Sequence, residues 1–259
     1  MARLQADHVT LGYDRRTVAT NLSLAIPDGE FTVIVGPNGC GKSTLLRSFA
    51  RLLKPEAGRI VLDGKAISSV PAKEAARRVG LLPQSSTAPD GITVSDLVGR
   101  GRYPHQTLFR QGSAGDRAAV DRAMERTGVS EFAGVRVDEL SGGQRQRVWV
   151  AMALAQETPI LLLDEPTTFL DIAHQIELLD LFARLHEEGS TVVAVLHDLN
   201  HAARYATHLV AMKDGVVAAS GSPRDIVTPR LVEEVFGLPA VVIDDPETGT
   251  PLVIPRATR

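Results

Sequence analysis

Residues 36–44 read Gly-Pro-Asn-Gly-Cys-Gly-Lys-Ser-Thr, a match to the pattern G-x-x-x-x-G-K-[ST]. The apolar run 31–35, Phe-Thr-Val-Ile-Val, leads into it. Leu45, Leu46, Phe49, Leu52 and Leu53 follow at helical spacing, and Lys54-Pro55 ends the predicted helix. Strand, glycine-rich loop and helix in that order build an anion cradle. Glycines let backbone N–H groups turn inward, and the helix adds the positive end of its dipole. Gly36, Pro37, Asn38, Gly39, Cys40, Gly41, Lys42, Ser43 and Thr44 are therefore the candidate binding loop for a nucleoside triphosphate. Lys42 reaches the β- and γ-phosphates, Ser43 offers its hydroxyl to Mg²⁺, and Thr44 is a second hydroxyl nearby. Cys40 reads as a small side chain whose N–H matters, with a redox brake on binding as the alternative.

Outward from the loop, Leu22, Leu24 and Ile26 alternate as in a half-buried strand, and Pro27-Asp28-Gly29 supplies a turn. Asp63-Gly64 and Lys213-Asp214-Gly215 are hairpin signals. Residues 81–115 are rich in proline and glycine and predict loop, whereas helical patterns dominate 116–155. Two apolar runs follow, Ile-Leu-Leu-Leu at 160–163 and Thr-Val-Val-Ala-Val-Leu at 191–196, with an amphipathic helix between them. Strands that are apolar throughout imply a parallel sheet covered on both faces. The fold class is α/β, a nucleotide-binding core interrupted by a mostly helical insertion over roughly 88–155. Each apolar strand gives way to polar residues: Gly36, then Asp164-Glu165, then His197-Asp198. Ligands of open parallel sheets bind at the carboxyl ends of strands, so three regions are expected to converge. Asp164 suits Mg²⁺, directly or through water, and Glu165 suits orientation and deprotonation of an attacking water.

Composition sets bounds. The chain has 259 residues, 44% hydrophobic and 23% charged, with a net charge of −3. That balance supports a core without disulfides or metals and gives no electrostatic argument for nucleic acid. One cysteine permits no internal disulfide and fits a reducing compartment. No apolar run approaches the roughly 20 residues of a membrane span, and the first residues show no signal-peptide pattern.

Residues 140–147 read Leu-Ser-Gly-Gly-Gln-Arg-Gln-Arg. Ser141 can cap a helix starting here, and Gly142-Gly143 leave its first amides uncovered, a second anion site in one chain. Together with the phosphate loop and Asp164-Glu165-Pro166, this resembles the ATP-binding cassette family over the whole chain. The resemblance implies a P-loop NTPase (RecA-like) core with an N-terminal antiparallel β subdomain and an inserted helical subdomain. The expected division is one ATPase domain over 1–259: core 1–87 and 156–221, helical signature subdomain 88–155, and C-terminal extension 222–259. It also implies a head-to-tail homodimer with ATP sandwiched between Lys42 of one chain and Ser141, Gly142, Gly143 and Gln144 of the other. Tyr13 resembles the residue that stacks on adenine, and Gln84 the glutamine that senses Mg²⁺ and the membrane partner. Asp171 resembles the aspartate that communicates across the dimer, and His197 the switch histidine at the γ-phosphate. Glu165, His197, Lys42 and Gln84 are thus the expected catalytic set, with Ser43, Gln84 and Asp164 toward Mg²⁺.

Finer stretches narrow the family. Residues 100–111, 163–181, 194–215 and the tail 244–256, Asp-Asp-Pro-Glu-Thr-Gly-Thr-Pro-Leu-Val-Ile-Pro-Arg, are similar to ATPase subunits of ferric-siderophore importers, the tail to the ferric-enterobactin branch. Cobalamin or haem importers are the alternative, and a regulatory or nucleic-acid-associated cassette is the alternative of another class. The resemblance implies ATP and Mg²⁺ as cofactors, an integral-membrane permease as partner, a substrate-binding protein as indirect partner, and a peripheral place on the cytoplasmic face of the membrane. No nucleic-acid partner is expected. Residues 84–112 are expected to form part of the groove for the permease, with Arg100, Arg102 and Tyr103 as contact candidates. His105, His174, His201 and His208 lack compact ligand spacing and are not expected to bind iron.

Overall fold

The computed structural model describes residues 3–13, 16–84, 87–106, 113–168 and 170–257. In chain order the strands are β1 Leu4–Tyr13, β2 Arg16–Ile26, β3 Phe31–Val35, β4 Ala57–Leu62, β5 Lys65–Ala66, β6 Val79–Leu82, β7 Ile160–Asp164, β8 Thr191–Val195, β9 His208–Lys213, β10 Val216–Gly221, β11 Ala240–Asp244 and β12 Pro251–Pro255. The α-helices are α1 Lys42–Phe49, α2 Ala72–Ala76, α3 Val94–Gly99, α4 Ala114–Arg126, α5 Gly142–Ala155, α6 Ile172–Glu187, α7 Leu199–Tyr205, α8 Pro223–Ile226 and α9 Pro229–Phe236. These elements form two compact units, one from Met1–Val70 with Thr191–Arg259 and the other from Pro71–Ser190.

The first unit holds the phosphate loop. Its parallel strands run β9-β3-β8, in register at Phe31↔Val192 and Val33↔Leu209, with β10 antiparallel beyond β9. Every residue of β3 and β8 is buried, which is why both read as unbroken apolar runs. An antiparallel sheet, β2-β1-β4-β5, forms the N-terminal β layer, and Leu22, Leu24 and Ile26 point into its core as their alternation predicts. Both hairpin signals form. Asp63 and Gly64 have φ of 48° and 77°, and Asp214 and Gly215 48° and 78°, the double positive φ that matches strand twist in a two-residue turn.

Helix α1 is shorter than predicted. It stops at Phe49, because Arg51 takes a left-handed φ of 62° and the N–H groups of Leu52 and Leu53 turn back to the Arg47 carbonyl. Leu52 is therefore 69% exposed, although its spacing places it on the apolar face.

In the second unit β6 and β7 pair in parallel, Val79↔Ile160 through Leu82↔Leu163. Helix α5 packs on β6, and α3 and α4 pack on α5 and on each other. The loop predicted over 81–115 is only partly loop. Thr93 caps α3, accepting from the Asp96 N–H, and Val94, Leu97 and Val98 bury at helical spacing. A 3₁₀ turn, Arg100–His105, follows. The nearby prolines and glycines mask this signal, and residues 107–112 lie outside the described residues.

Arg102, expected on an exposed groove, is 8% exposed instead. Its Nε donates to Asp116 Oδ1 at 3.0 Å, and its Nη1 to the Ala155 carbonyl at 2.7 Å and Glu157 Oε2 at 2.8 Å. Hydrogen bonds from Ser113 and then Arg102 hold the Asp116 carboxyl below its usual range. Tyr103 remains on the surface, 66% exposed, under the Lys73 ammonium at 4.8 Å.

Two outcomes follow from these buried polar groups. Arg102→Ala strands a buried carboxylate, so urea unfolding of that variant is expected to show a loss of about 3 kcal/mol. His208 lies between Thr32 Oγ1, 3.4 Å from Nδ1, and Ser220 Oγ, 2.9 Å from Nε2. Burial pushes its imidazole below the usual histidine range, with Glu30 opposing in part. The folded state therefore favours the neutral ring. Stability is full above the ordinary value of 6.5 and falls as pH drops from there through the lower folded value. Unfolding measured from pH 7.5 to 5 is expected to show this slope, and His208→Gln to flatten it.

Candidate active site

The phosphate loop is shaped by backbone that only glycine tolerates. Gly36 and Gly41 have φ of 152° and 104°, and a Cβ on Gly36 would stand 2.2 Å from the Met212 carbonyl oxygen. Gly41 is the N-cap of α1 and puts no side chain over the first amides. The Lys42 ammonium is drawn into the loop, donating to the carbonyls of Gly36 at 2.7 Å and Pro37 at 3.0 Å. It is 5% exposed and so held rather than free in solvent. Pro37, Asn38, Gly39, Ser43 and Thr44 complete the same turn.

Cys40 is 5% exposed, and burial raises its thiol above the ordinary value despite the opposing Lys42 charge. A reactive thiolate needs the reverse on both counts, so the geometry favours the small packing side chain over the redox brake. Tyr13, at the end of β1, is 41% exposed and receives a hydrogen bond from Arg47 Nη1 at 3.4 Å. It presents an open ring rather than a core side chain. Arg47 was not legible as its partner, because helical periodicity says nothing about a side chain that leaves the helix to meet a strand end.

The second unit brings Gln84, Asp164 and Glu165 together. Gln84 lies just beyond β6, Asp164 ends β7, and the strands are parallel neighbours. Gln84 Nε2 donates to Glu165 Oε2 at 2.7 Å. Asp164 is 1% exposed, whereas Glu165 is only half-buried with a left-handed φ of 54°. That reversal turns consecutive carboxyl groups to different environments, one sealed from solvent and one partly open to it.

The signature segment begins α5. Ser141 Oγ accepts from the Gln144 N–H at 3.2 Å and Gln144 Oε1 accepts from the Ser141 N–H at 3.0 Å, a reciprocal cap. The helix provides no carbonyl for the N–H groups of Gly142 and Gly143. One turn on, Gln146 Nε2 donates to the Pro166 carbonyl at 2.9 Å and ties the signature helix to the segment after Glu165. Nothing in the sequence beyond the residue's place in the motif announces this tie. Asp171 caps α6, accepting from the His174 N–H at 2.9 Å and from its Nδ1 at 2.8 Å, and these bonds hold its carboxyl below the usual range. His197 is exposed on the short link from β8 to α7, followed by Asp198, which caps α7 through the His201 N–H at 2.8 Å.

Comparison with known proteins places the chain in a family. Residues 19–168 match the family model for the ABC transporter. The chain is 57% identical over 256 residues to the ferric enterobactin transport ATP-binding protein of Escherichia coli (strain K12), covering 98% of this chain and 94% of that protein. It is 52% identical to the petrobactin import ATP-binding protein of Bacillus anthracis, over 98% and 93% of the two chains. Identity to the cobalamin import ATP-binding protein of Halobacterium salinarum (strain ATCC 29341 / DSM 671 / R1) is 44%, over 93% of this chain and 61% of that one. Among solved structures, a metal-chelate type ABC transporter in an inward-facing conformation gives a TM-score of 0.84 at 27% identity, covering 99% and 98% of the chains. A dimeric ATP-binding cassette bound to ADP and Pi gives 0.76 at 30% identity, covering 85% and 98%. The chain belongs to the ABC transporter family, and its fold is that of the family's ATP-binding cassettes.

Gly36→Ala is the sharpest test of the loop. The added methyl collides with backbone, so nucleotide affinity measured by titration calorimetry is expected to fall at least about ten-fold.

Proposed function

We propose that this chain is the ATP-hydrolysing subunit of an importer of ferric siderophores. The observation that carries the cargo class is 57% identity across 98% of the chain to a ferric enterobactin transport subunit, against 44% to a cobalamin import subunit. The likeness spans nearly the whole chain, the tail included. ATP turnover is the activity of the ABC family's transport cassettes, and this chain carries the side chains that turnover needs.

In this reading the loop 36–44 binds the phosphates by backbone N–H groups, and Lys42 leaves its two carbonyls to meet the β- and γ-oxygens. Tyr13 stacks on the adenine. Glu165 takes the proton of the attacking water, with one carboxylate oxygen held by Gln84 and the other directed at the water. His197 meets the γ-phosphate. The hydroxyl of Ser43, the carbonyl oxygen of Gln84 and the carboxyl of Asp164 are hard oxygen donors and fit Mg²⁺. Mg²⁺, when bound, neutralises charge shared by the β- and γ-phosphates.

Ser141, Gly142, Gly143 and Gln144 of a second copy close on the same γ-phosphate, so nucleotide is the adhesive of a homodimer, and Asp171 relays between the copies. Hydrolysis separates the charge cluster and loosens the pair. That cycle moves a permease that prefers different shapes in the two states. No described helix is long and apolar enough to cross a membrane. In the importer reading the chain works at the cytoplasmic face through its permease, with the segment near Tyr103 in the contact and the helical insertion 88–155 carrying the signature.

Glu165→Gln is expected to lower kcat for ATP by at least about 100-fold while MgATP drives the variant into a stable dimer seen by size-exclusion chromatography. Turnover at the wild-type rate would remove Glu165 from the chemistry. In iron-starved cells, Lys42→Ala is expected to abolish uptake of labelled ferric siderophore with cobalamin uptake intact. Normal uptake of every siderophore would overturn the cargo assignment.

A further inference from the structure

Catalysis by His197 depends on where its backbone is held, and the hold is unevenly built. Upstream, β8 is fixed in the parallel sheet by Val195↔Ile34, and the Leu196 N–H reaches the Ile34 carbonyl at 3.3 Å. Downstream lies α7, a helix of seven residues. So short a helix is not stable by itself and takes its position from tertiary contacts. Its buried residues are Ala202 and Ala203, whose side chains offer little surface to grip.

Helix α7 packs on β3 and α8, and the C-terminal hairpin β11-β12 adds hydrogen bonds to its side chains. Asn200 Oδ1 accepts from the Val253 N–H at 2.7 Å, and Asn200 Nδ2 donates to the Val253 carbonyl at 3.2 Å. One amide side chain thus pairs with both backbone groups of a strand residue, as a neighbouring strand would. One turn later Arg204 donates to Asp245 Oδ2 from Nη2 at 2.5 Å and from Nε at 3.2 Å. The spacing of four residues puts both on one face of the helix. Asp245 is itself fixed: its Oδ1 accepts from the Glu247 N–H at 2.9 Å, and its backbone bonds to Thr250 and Gly249 close the hairpin turn. Val253 and Asp245 are each 7% exposed. The hairpin register, Val241↔Ile254 and Val242↔Val253, makes the two anchors parts of one rigid piece.

We propose that Asn200 and Arg204 are positioning residues for His197, and that the tail hairpin sets the geometry of catalysis by clamping α7. This rests on the reading that His197 acts at the γ-phosphate. The tail resembling one importer branch then has a task in nucleotide turnover. Only two residues separate His197 from Asn200, so a tilt of α7 moves the imidazole directly.

The test is steady-state ATPase activity of the full chain. Asn200→Ala and Asp245→Asn are each expected to lower kcat by about ten-fold, the scale of a displaced catalytic group, with KM for ATP within about two-fold of wild type. A double-mutant cycle separates positioning from general damage. Adding Asn200→Ala to His197→Ala is expected to slow the enzyme no further. Full additivity would overturn the proposal, as would unchanged kcat in both single variants. Arg204→Lys keeps the charge with a different donor geometry and, if Asn200→Ala fails to fold, carries the same cycle with His197→Ala. Wild-type turnover by His197→Ala would instead overturn the catalytic reading of His197, a result distinct from failure of the clamp.

Discussion

Everything chemical in this chain depends on a constraint of backbone sterics. Between Val35 and Lys42 the main chain must leave a buried strand, turn its N–H groups to one side and enter a helix. That path uses positive φ at Gly36, Gly39 and Gly41. At Gly36 the constraint is doubled, since the Met212 carbonyl occupies the place of any side chain. Neighbouring strand β9 thus dictates the residue at the entry to the loop, and the loop dictates where a lysine can stand.

A second regularity is that residues read as functional, or the direct neighbour of one, cap the start of a helix. Ser141, Asp171 and Asp198 cap α5, α6 and α7. A cap fixes the direction of the first turn and the side chains beside it. The same oxygen that stabilises the helix therefore registers the adjacent polar group, and substitution at such a position alters stability and geometry together. Glu165 shows the complementary device, a left-handed residue at a strand end that sends consecutive carboxyl groups apart.

Much of this was legible because it is local. Strand–loop–helix around 36–44, the apolar β3, β7 and β8, and both hairpin turns follow from periodicity and turn chemistry. The failures are also physical. Leu52 has helical spacing, yet the left-handed Arg51 ends the helix before spacing matters. Helix α3 was hidden by surrounding prolines and glycines, although Thr93 and Asp96 carried a capping signal. Arg102 reads as a surface cation from its type alone. Its partners Asp116 and Glu157 stand 14 and 55 positions on in the sequence. The bonds of Asn200 to Val253 and of Arg204 to Asp245 were unreadable for the same reason: each links residues 41 or more positions apart. The pairing of Gln84 with Glu165, 81 positions apart, came within reach only because the family resemblance had already named both.

The sealed thiol of Cys40 has a practical side. It is the chain's sole cysteine, and it lies buried within the phosphate loop with its ionisation suppressed. Alkylating dyes and spin labels attack thiolates that solvent can reach. The native protein is therefore already a quiet background for site-directed labelling. A cysteine placed at an open position such as Leu52 or Tyr103 takes up a probe selectively, with no need to disturb the nucleotide loop by removing the natural one.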